Sequence, residues 1–368
     1  MRLQEALELD KPQETVPPKF KFIDLFAGIG GMRIPFDELG GKCVFSSEWD
    51  KFAQATYEKN FDKEPSGNIS DIDAESIGPH DILLGGFPCQ AFSNAGLKRG
   101  FLDTRGTMFF EIQRILAEWR PKMFLLENVK QLRGHDKGRT LKTIIDTLEG
   151  NGPPIPDHVP MSLAARRSLN RKLNYAVDFK VLSATDFGVP QNRQRVYIVG
   201  FNRDHFDDAD AKRVFDQLEL EESSPSLADA LTPEGSNETA RYTISDKLWE
   251  GLKRRMARHE AKGNGFGHKV FGRNDSYCNT ITSRYYKDGR EILIDQSHLG
   301  LNPRRLTPRE CARIQGFPEW FDLTACSDTQ LYRQFGNSVS VPVIRSLAKA
   351  MIKYSAALES GDRKSAVG

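Results

Sequence analysis

Cysteine is scarce in this chain, and what there is forms no metal or redox pattern. Its five cysteines (Cys43, Cys89, Cys278, Cys311 and Cys326) include no C-x-x-C pair and no zinc-like spacing. A zinc module, a dithiol redox centre and a disulfide scaffold are therefore excluded, and no metal is expected. Cys43 and Cys311 read as packing residues. No apolar run approaches the length that crosses a membrane. Residues 1–19 are polar and lack the apolar core of a secretory signal, so they are expected to form a short lead-in helix or stay disordered. The chain is expected to be soluble and cytoplasmic. Net charge is also low, +2 over 368 residues, so bulk charge announces no polyanionic partner. The length permits a large core and two domains.

What is present concentrates at strand ends. The apolar run Asp81-Ile82-Leu83-Leu84 leads into Gly85-Gly86-Phe87-Pro88-Cys89-Gln90. In an α/β protein, ligands and chemistry collect where the chain leaves the carboxyl end of a strand. The glycine pair admits a close approach, and Pro88 stiffens the path to Cys89. Upstream, Phe22-Ile23-Asp24-Leu25-Phe26-Ala27 predicts a buried strand with Asp24 as its one polar exception. A turn, Gly28-Ile29-Gly30-Gly31, follows, then a helix over Met32–Leu39 closed by Gly40-Gly41. The turn lacks the full G-x-G-x-x-G spacing, which argues against pyrophosphate. Glu48 ends a second strand-like run, Cys43–Ser47, about twenty residues past the turn, where an acid accepts from ribose hydroxyls. Trp49 offers a flat face to an adenine. The bland alternative for this segment is a tight turn and a solvated acid.

Lys122–Leu126 predicts another buried strand, ending in Glu127-Asn128-Val129, with Glu127 either a surface cap or a site acid. Pro190-Gln191-Asn192-Arg193-Gln194-Arg195 runs into Val196–Gly200. If the strand is already extended there, Arg193 and Arg195 share one face.

These motifs, in this order, together with Arg305-Leu306-Thr307-Pro308-Arg309-Glu310-Cys311 and Gln334-Phe335-Gly336-Asn337-Ser338-Val339, strongly resemble the bacterial C5-cytosine DNA methyltransferases that use S-adenosylmethionine. The resemblance covers roughly residues 20–200 and 303–353. It implies an α/β, Rossmann-like methyltransferase domain with a mixed, mostly parallel sheet, and a smaller target-recognition domain. Cys89 then matches the nucleophile that adds to cytosine C6, because C5 is too poor a nucleophile until the ring is made electron-rich. Glu127 matches the acid at N3 and the exocyclic amine, a role that burial favours by raising a carboxyl pKa. Arg195 matches the residue that holds O2, and Arg193 a neighbour supporting the loop and site. Both arginines, with the cofactor sulfonium, are candidates for the positive field that favours a Cys89 thiolate. The base that removes the C5 proton is not identified.

For S-adenosylmethionine, and its product S-adenosylhomocysteine, the resemblance implies Phe26, Gly28, Gly30, Glu48, Trp49, Ile69, Pro88 and Asn337, with the backbone of Met108 and Val339. Asn68 stands where the family usually has an aspartate that accepts from the adenine amine. Its amide carbonyl can still accept. Residues 90–107, with Gly96, Gly100 and Gly106, suit a lid that closes over DNA once the target base has left the helix, as base-modifying enzymes require. Gln90, Ser93, Lys98, Arg99 and Arg105 are its candidate DNA contacts.

The implied partner is double-stranded DNA, bound by a monomer, with any cognate restriction endonuclease acting separately. Charge distribution fits: Arg203–Glu238 carries eleven acidic and three basic residues, whereas Thr239–Arg309 carries fifteen basic and seven acidic. The second stretch is expected to face phosphates. The boundaries expected are an extension over 1–19, a discontinuous catalytic domain over 20–201 plus 319–358, a recognition domain over 202–318 and a tail over 359–368. Within the recognition domain, Thr280–Ile294 predicts two strands joined by a Lys287-Asp288-Gly289 turn. Arg273, Arg284, Tyr285 and Lys287 are the candidate DNA contacts. The Arg-Tyr-Tyr-Lys-Asp-Gly segment resembles that of the Dcm-like enzymes, implying a 5′-CC(A/T)GG or CCNGG target. Thr307-Pro308-Arg309-Glu310 predicts a capped helix start, Ser327–Gln330 a second, and Val339–Ala357 an amphipathic helix. Residues 150–172 read as an inserted surface loop whose Arg166, Arg167, Arg171 and Lys172 offer supplementary phosphate contacts. Competing functions are a transfer-RNA cytosine-5 methyltransferase, a non-catalytic DNA-binding regulator, and a small-molecule methyltransferase. The last two sit poorly with the presence of Cys89, Glu127 and Arg195.

Overall fold

Short apolar runs that end in glycine or a polar residue become strands, and here they assemble a six-stranded sheet. The structure, a computed structural model, describes residues 2–12, 17–88, 108–221, 225–265 and 267–359. The strands are β1 (Phe20–Leu25), β2 (Gly41–Ser47), β3 (Ile82–Gly86), β4 (Met123–Val129), β5 (Tyr175–Ser183) and β6 (Gln194–Asn202), in the order β2-β1-β3-β4-β6-β5. The first four are parallel, and β6 runs antiparallel to both of its neighbours. This is the expected mixed, mostly parallel Rossmann-like sheet. Through Ile82–Leu84 and Met123–Leu126 the central strands β3 and β4 are apolar on both faces, as burial under helices requires.

A short helix, α1 (Leu3–Leu7), precedes the sheet. It buries Leu3, Ala6 and Leu7, and its last carbonyl accepts from the Glu319 amide, so one of the two expected outcomes for residues 1–19 is realised. One face of the sheet is covered by α2 (Arg33–Glu38), which matches the expected Met32–Leu39 helix. Beside it, α3 (Lys51–Phe61) follows β2. The other face is covered by α4 (Met108–Trp119), α5 (Arg139–Leu148) and α6 (Leu163–Ser168), whose Phe109, Ile112, Ile115, Leu141, Ile144 and Ala165 pack on Ile23, Leu83, Phe124 and Ile198.

One expectation is corrected here. The segment 150–172 is not a plain surface loop. It contains α6, buries Val159, Ala165 and Ser168, and turns the Arg166 guanidinium inward onto the carbonyls of Ile155, Pro156, Asp157 and Val159. Arg171 pairs with Glu118. The core of the main sheet also takes in residues beyond 201, the position expected to end the catalytic domain. Helix α7 (Asp210–Asp216) buries Ala211, Val214 and Phe215, spaced for one helix face, in the core that holds Phe22, Phe36 and Val199. Its acidic residues occupy the outer side and conceal that stripe in the sequence.

Beyond residue 225 the chain forms α8 (Asn237–Ala240), α9 (Asp246–Glu260) and a small sheet β7-β8-β9 (Val270–Phe271, Leu293–Ile294, Arg304–Arg305). The hairpin expected over 280–294 does not form. β8 pairs in parallel with β7 and antiparallel with β9, while residues 283–288 are turns. The reason is Tyr285, whose ring is fully buried. Its hydroxyl donates to the Ile292 carbonyl and accepts from the Leu306 amide, drawing the segment into the core.

Helix α10 (Pro308–Arg313) begins with the expected capping box, Thr307 and Glu310 each bonding the other's backbone amide. Glu310 also takes a bidentate bond from buried Arg304 and accepts from the Thr232 amide. Helix α11 (Asp328–Asn337) starts where expected, although the Ser327 side chain makes no cap bond. Helix α12 (Val341–Glu359) returns to the main sheet beside α2 and α7, joining its core through Val343, Ile344, Leu347 and Met351. One hydrophobic cluster runs from Leu231, Cys278 and Tyr285 through Leu306 and Cys311 to Tyr332 and Phe335. The expected break at residue 318 falls inside it.

Candidate active site

At the carboxyl edge of β2-β1-β3 the chain makes a tight glycine turn. After Leu25 the backbone takes left-handed turns at Phe26 (φ 56°), Gly28 (φ 55°) and Gly30 (φ 83°). The space over Gly28 is open. At Gly31 a β-carbon would stand 2.9 Å from the Ser338 hydroxyl and 3.0 Å from a Val339 methyl, so motifs from opposite ends of the chain touch here. The parallel β2 delivers Glu48 beside this turn. One Glu48 oxygen accepts from the Gly28 amide (2.8 Å) and the other from the Asp50 amide (2.8 Å). Burial raises its pKa, and the amides of Asp50 and Gly28 oppose that rise. Trp49, next to it, is 75% exposed.

Asn68 caps the turn 69–71, its side-chain oxygen accepting from the Ser70 amide (3.3 Å). Ile69 is buried, Pro88 half-buried, and Met108 opens α4 with its sulfur 4.0 Å from the Ser70 hydroxyl. Asn337 is exposed at the end of α11, and Val339 is buried just beyond. Open space over Gly28, a fixed carboxylate and a bare indole face suit a nucleoside cofactor.

Asp24 lies beneath this turn, buried in β1. Among the described residues neither of its carboxyl oxygens has a hydrogen-bond partner. Burial pushes its pKa up to about 8, with Asp37 and Glu48 adding to the rise and Arg33 opposing it.

The second half of the site stands on β3, β4 and β6. Glu127 is in register with Gly86 on one side and Tyr197 on the other. Its Oε2 lies 3.7 Å from where a β-carbon on Gly86 would stand, on the strand that leads to Pro88 and Cys89. Arg195 is diagonal to Glu127 across the antiparallel ladder, hence on the same face, and its Nε meets Glu127 Oε1 at 3.0 Å. Burial raises the Glu127 pKa, while Arg195 and then Arg193 pull it down. Asn128, whose role the sequence reading missed, donates from Nδ2 to the Phe87 carbonyl (3.2 Å) and so pins the approach to Cys89.

The two arginines make different contacts, although both act on Glu127. β6 begins at Gln194, and the Arg193 guanidinium is turned away to the carbonyls of Ile281 (3.3 Å), Gly336 (3.4 Å) and Ser338. Burial and the adjacent Arg195 lower its pKa to about 9.

Of the expected DNA contacts, Arg284 and Lys287 are exposed. Tyr285 is corrected: with its ring enclosed and its hydroxyl used internally, it supports the turn from beneath. Arg273 spends its guanidinium on the carbonyls of Thr232 (2.8 Å) and Leu231 (3.4 Å). Cys89, Gln90, Ser93, Lys98, Arg99 and Arg105 lie outside the described residues. Among the described residues no three His, Cys, Asp or Glu side chains gather as a metal site, and no helix is long and apolar enough to cross a membrane.

Comparison with known proteins adds to this geometry. The profile of the C-5 cytosine-specific DNA methylase family matches residues 20–153 and 167–353, leaving out the stretch that Arg166 folds inward. The type II methyltransferase M.DsaV of Dactylococcopsis salina is 52% identical over 336 residues, covering 91% of this chain and 87% of that protein. The DNA-cytosine methyltransferase of Escherichia coli K12 is 40% identical over 410 residues, covering 95% and 82%. Among solved structures, the S. pombe Dnmt2 methyltransferase superimposes with a TM-score of 0.68 at 19% identity, covering 92% of this chain and 99% of that one. A DNA modification methyltransferase encoded within an E. coli prophage gives 0.61 at 22% identity, covering 91% and 99%. At those identities the two structures bear on the fold alone.

Proposed function

The chain belongs to the C-5 cytosine-specific DNA methylase family and is a DNA (cytosine-5-)-methyltransferase that uses S-adenosylmethionine; from that premise we propose that it modifies one cytosine within a short duplex sequence, through a covalent adduct between Cys89 and C6 of a base turned out of the helix. The observation that carries this reading is the ion pair of buried Glu127 with half-buried Arg195 at the end of the strand ladder, beside the Gly86–Pro88 segment that leads to Cys89.

Bound S-adenosylmethionine supplies the methyl group. Glu48 would hold the ribose hydroxyls with the lone pairs that Gly28 and Asp50 leave free, and Trp49 would offer its exposed ring to the adenine. The Cys89 thiolate adds to C6, and Glu127, whose pKa burial raises, donates its proton to N3 as electron density moves toward C5. Arg195 holds O2 and, through its bond to Glu127, fixes the direction of that proton. After C5 takes the methyl group, its proton leaves to a base, the N3 proton returns to Glu127 and the sulfur–C6 bond breaks, restoring the aromatic ring and the Cys89 thiolate. The base must leave the stack because C5 and C6 are unreachable inside a duplex.

Arg284 and Lys287, on the turn buttressed by Tyr285, face the DNA, and the segment's Dcm-like character supports a CC(A/T)GG or CCNGG target. The type II naming of relatives such as M.DsaV supports a restriction-modification role; a separate endonuclease and a monomeric methyltransferase are part of the same proposal. Bisulfite sequencing of a plasmid from a methylation-free host tests the reading. Protected cytosines in one short context, absent with Cys89→Ala, are expected. No protection with folded wild-type protein would sink the duplex-DNA reading, and a labelled-methyl assay on bulk transfer RNA would then decide the alternative.

A further inference from the structure

Arg193 stands where three parts of the chain meet, and it is buried there. Nη1 donates to the Ile281 carbonyl, and Nη2 donates to those of Gly336 and Ser338. Ile281 begins the segment that ends in the exposed Arg284 and Lys287. Gly336 and Ser338 flank Asn337, and the Ser338 and Val339 side chains lie against Gly31 of the glycine turn proposed to hold the cofactor.

The segment 278–281 is further stitched to the loop that bears Arg193. The Cys278 amide donates to Pro190 (3.0 Å), the Asn192 amide to Cys278 (2.8 Å), the Ile281 amide to the Gln191 side chain (3.2 Å), and the Thr280 hydroxyl to the Asn192 carbonyl. There is no slack between the recognition segment and α11. A β-carbon on Gly336 would stand 2.3 Å from the Ser283 nitrogen and 2.4 Å from the Thr282 carbonyl carbon. Backbone therefore lies on backbone, and one guanidinium spans both. A planar guanidinium can serve carbonyls from two segments at once, which the point charge of a lysine matches poorly.

We infer that Arg193 is a positioning residue that couples reading of the target sequence to cofactor binding, rather than a residue that touches the cytosine. This inference rests on the methyltransferase reading above. A shift of residues 281–284 on engaging DNA has no void to absorb it and must reach Gly336–Ser338. Linkage then makes the effect reciprocal, so cognate DNA tightens the cofactor site by the same factor that cofactor tightens DNA.

The test uses the full chain, S-adenosylhomocysteine as the probe, and a duplex carrying the sequence found methylated by bisulfite. Calorimetry gives the affinity for S-adenosylhomocysteine with and without that duplex. The wild type is expected to bind at least about 5-fold tighter with it. Arg193→Lys should bring that ratio close to one, and the milder Thr280→Val should reduce it while leaving the core untouched. A wild-type ratio of one overturns the coupling while leaving the methylation result standing. Variants that keep the wild-type ratio, even if both affinities fall together, overturn it too, because a merely structural role scales both states alike. Failure of the wild type to methylate any duplex sinks instead the reading on which this one rests.

Discussion

Asp24→Asn should make the apo protein more stable at neutral and alkaline pH, and the gain should grow with pH. In the folded protein the carboxyl is enclosed, lacks a hydrogen-bond partner among the described residues and has its pKa pushed up to about 8, against an ordinary value of 3.8. Because the folded value is raised, its contribution to stability is fully present below about pH 4 and is lost as pH rises through about 8. Across that window the unfolded state has released the proton and the folded state still holds it. Each pH unit therefore costs a little over 1 kcal/mol. The whole interval of about four units amounts to roughly 5 kcal/mol, an upper bound because a buried carboxylate recruits water. The asparagine amide has the same volume and does not titrate. Urea unfolding of both proteins at half-unit steps from pH 5 to 9, without cofactor, isolates the difference. Wild-type stability should fall relative to the variant up to about pH 8 and run parallel beyond. Parallel profiles throughout would mean that Asp24 is hydrated or paired, and the burial argument would fail.

Glu127→Gln should lower the methylation rate by roughly 10²–10⁴-fold while S-adenosylhomocysteine still binds, because the amide cannot deliver a proton to N3; single-turnover kinetics and calorimetry check both halves. Asn68→Asp should leave S-adenosylhomocysteine affinity unchanged or improved, since the capping oxygen is kept, and a clear loss by calorimetry would show the adenine placement to be wrong. Arg166→Ala should destabilise by about 1–3 kcal/mol in urea unfolding, because four carbonyls lose their donor, whereas Arg167→Ala should stay within roughly 0.5 kcal/mol. Glu310→Ala should cost about 3–5 kcal/mol, measured the same way, because it strands the Arg304 charge in the core.

The sequence reading reached the sheet and much of the candidate site for local reasons. β1, β3, β4 and β6 are apolar runs closed by glycine or polar residues, and Thr307–Glu310 carries its own cap chemistry. Glu48 was legible because it ends a strand at the expected distance from a glycine turn. What escaped was decided by distant partners. Residues 280–294 have a real turn signal, but the Tyr285 hydroxyl prefers Ile292 and Leu306, and β8 finds other neighbours. Arg193 and Arg195 look equivalent in a string. Only the carbonyls of Ile281, Gly336 and Ser338 separate their tasks. Asp24 was visible as an oddity in β1, yet its lack of a partner among the described residues is a property of the packed state.

The cluster that joins Tyr285 and Cys278 to Tyr332 and Phe335 also bears on engineering. Anyone hoping to transplant new target specificity into this scaffold would not be exchanging a free-standing cassette. A graft cut at residues 225 and 305 carries half of a shared interior and leaves the other half behind. It must either import the α10–α11 partners with it or retain Cys278, Ile281, Tyr285 and Ile292 and vary only the outward positions such as Arg284 and Lys287.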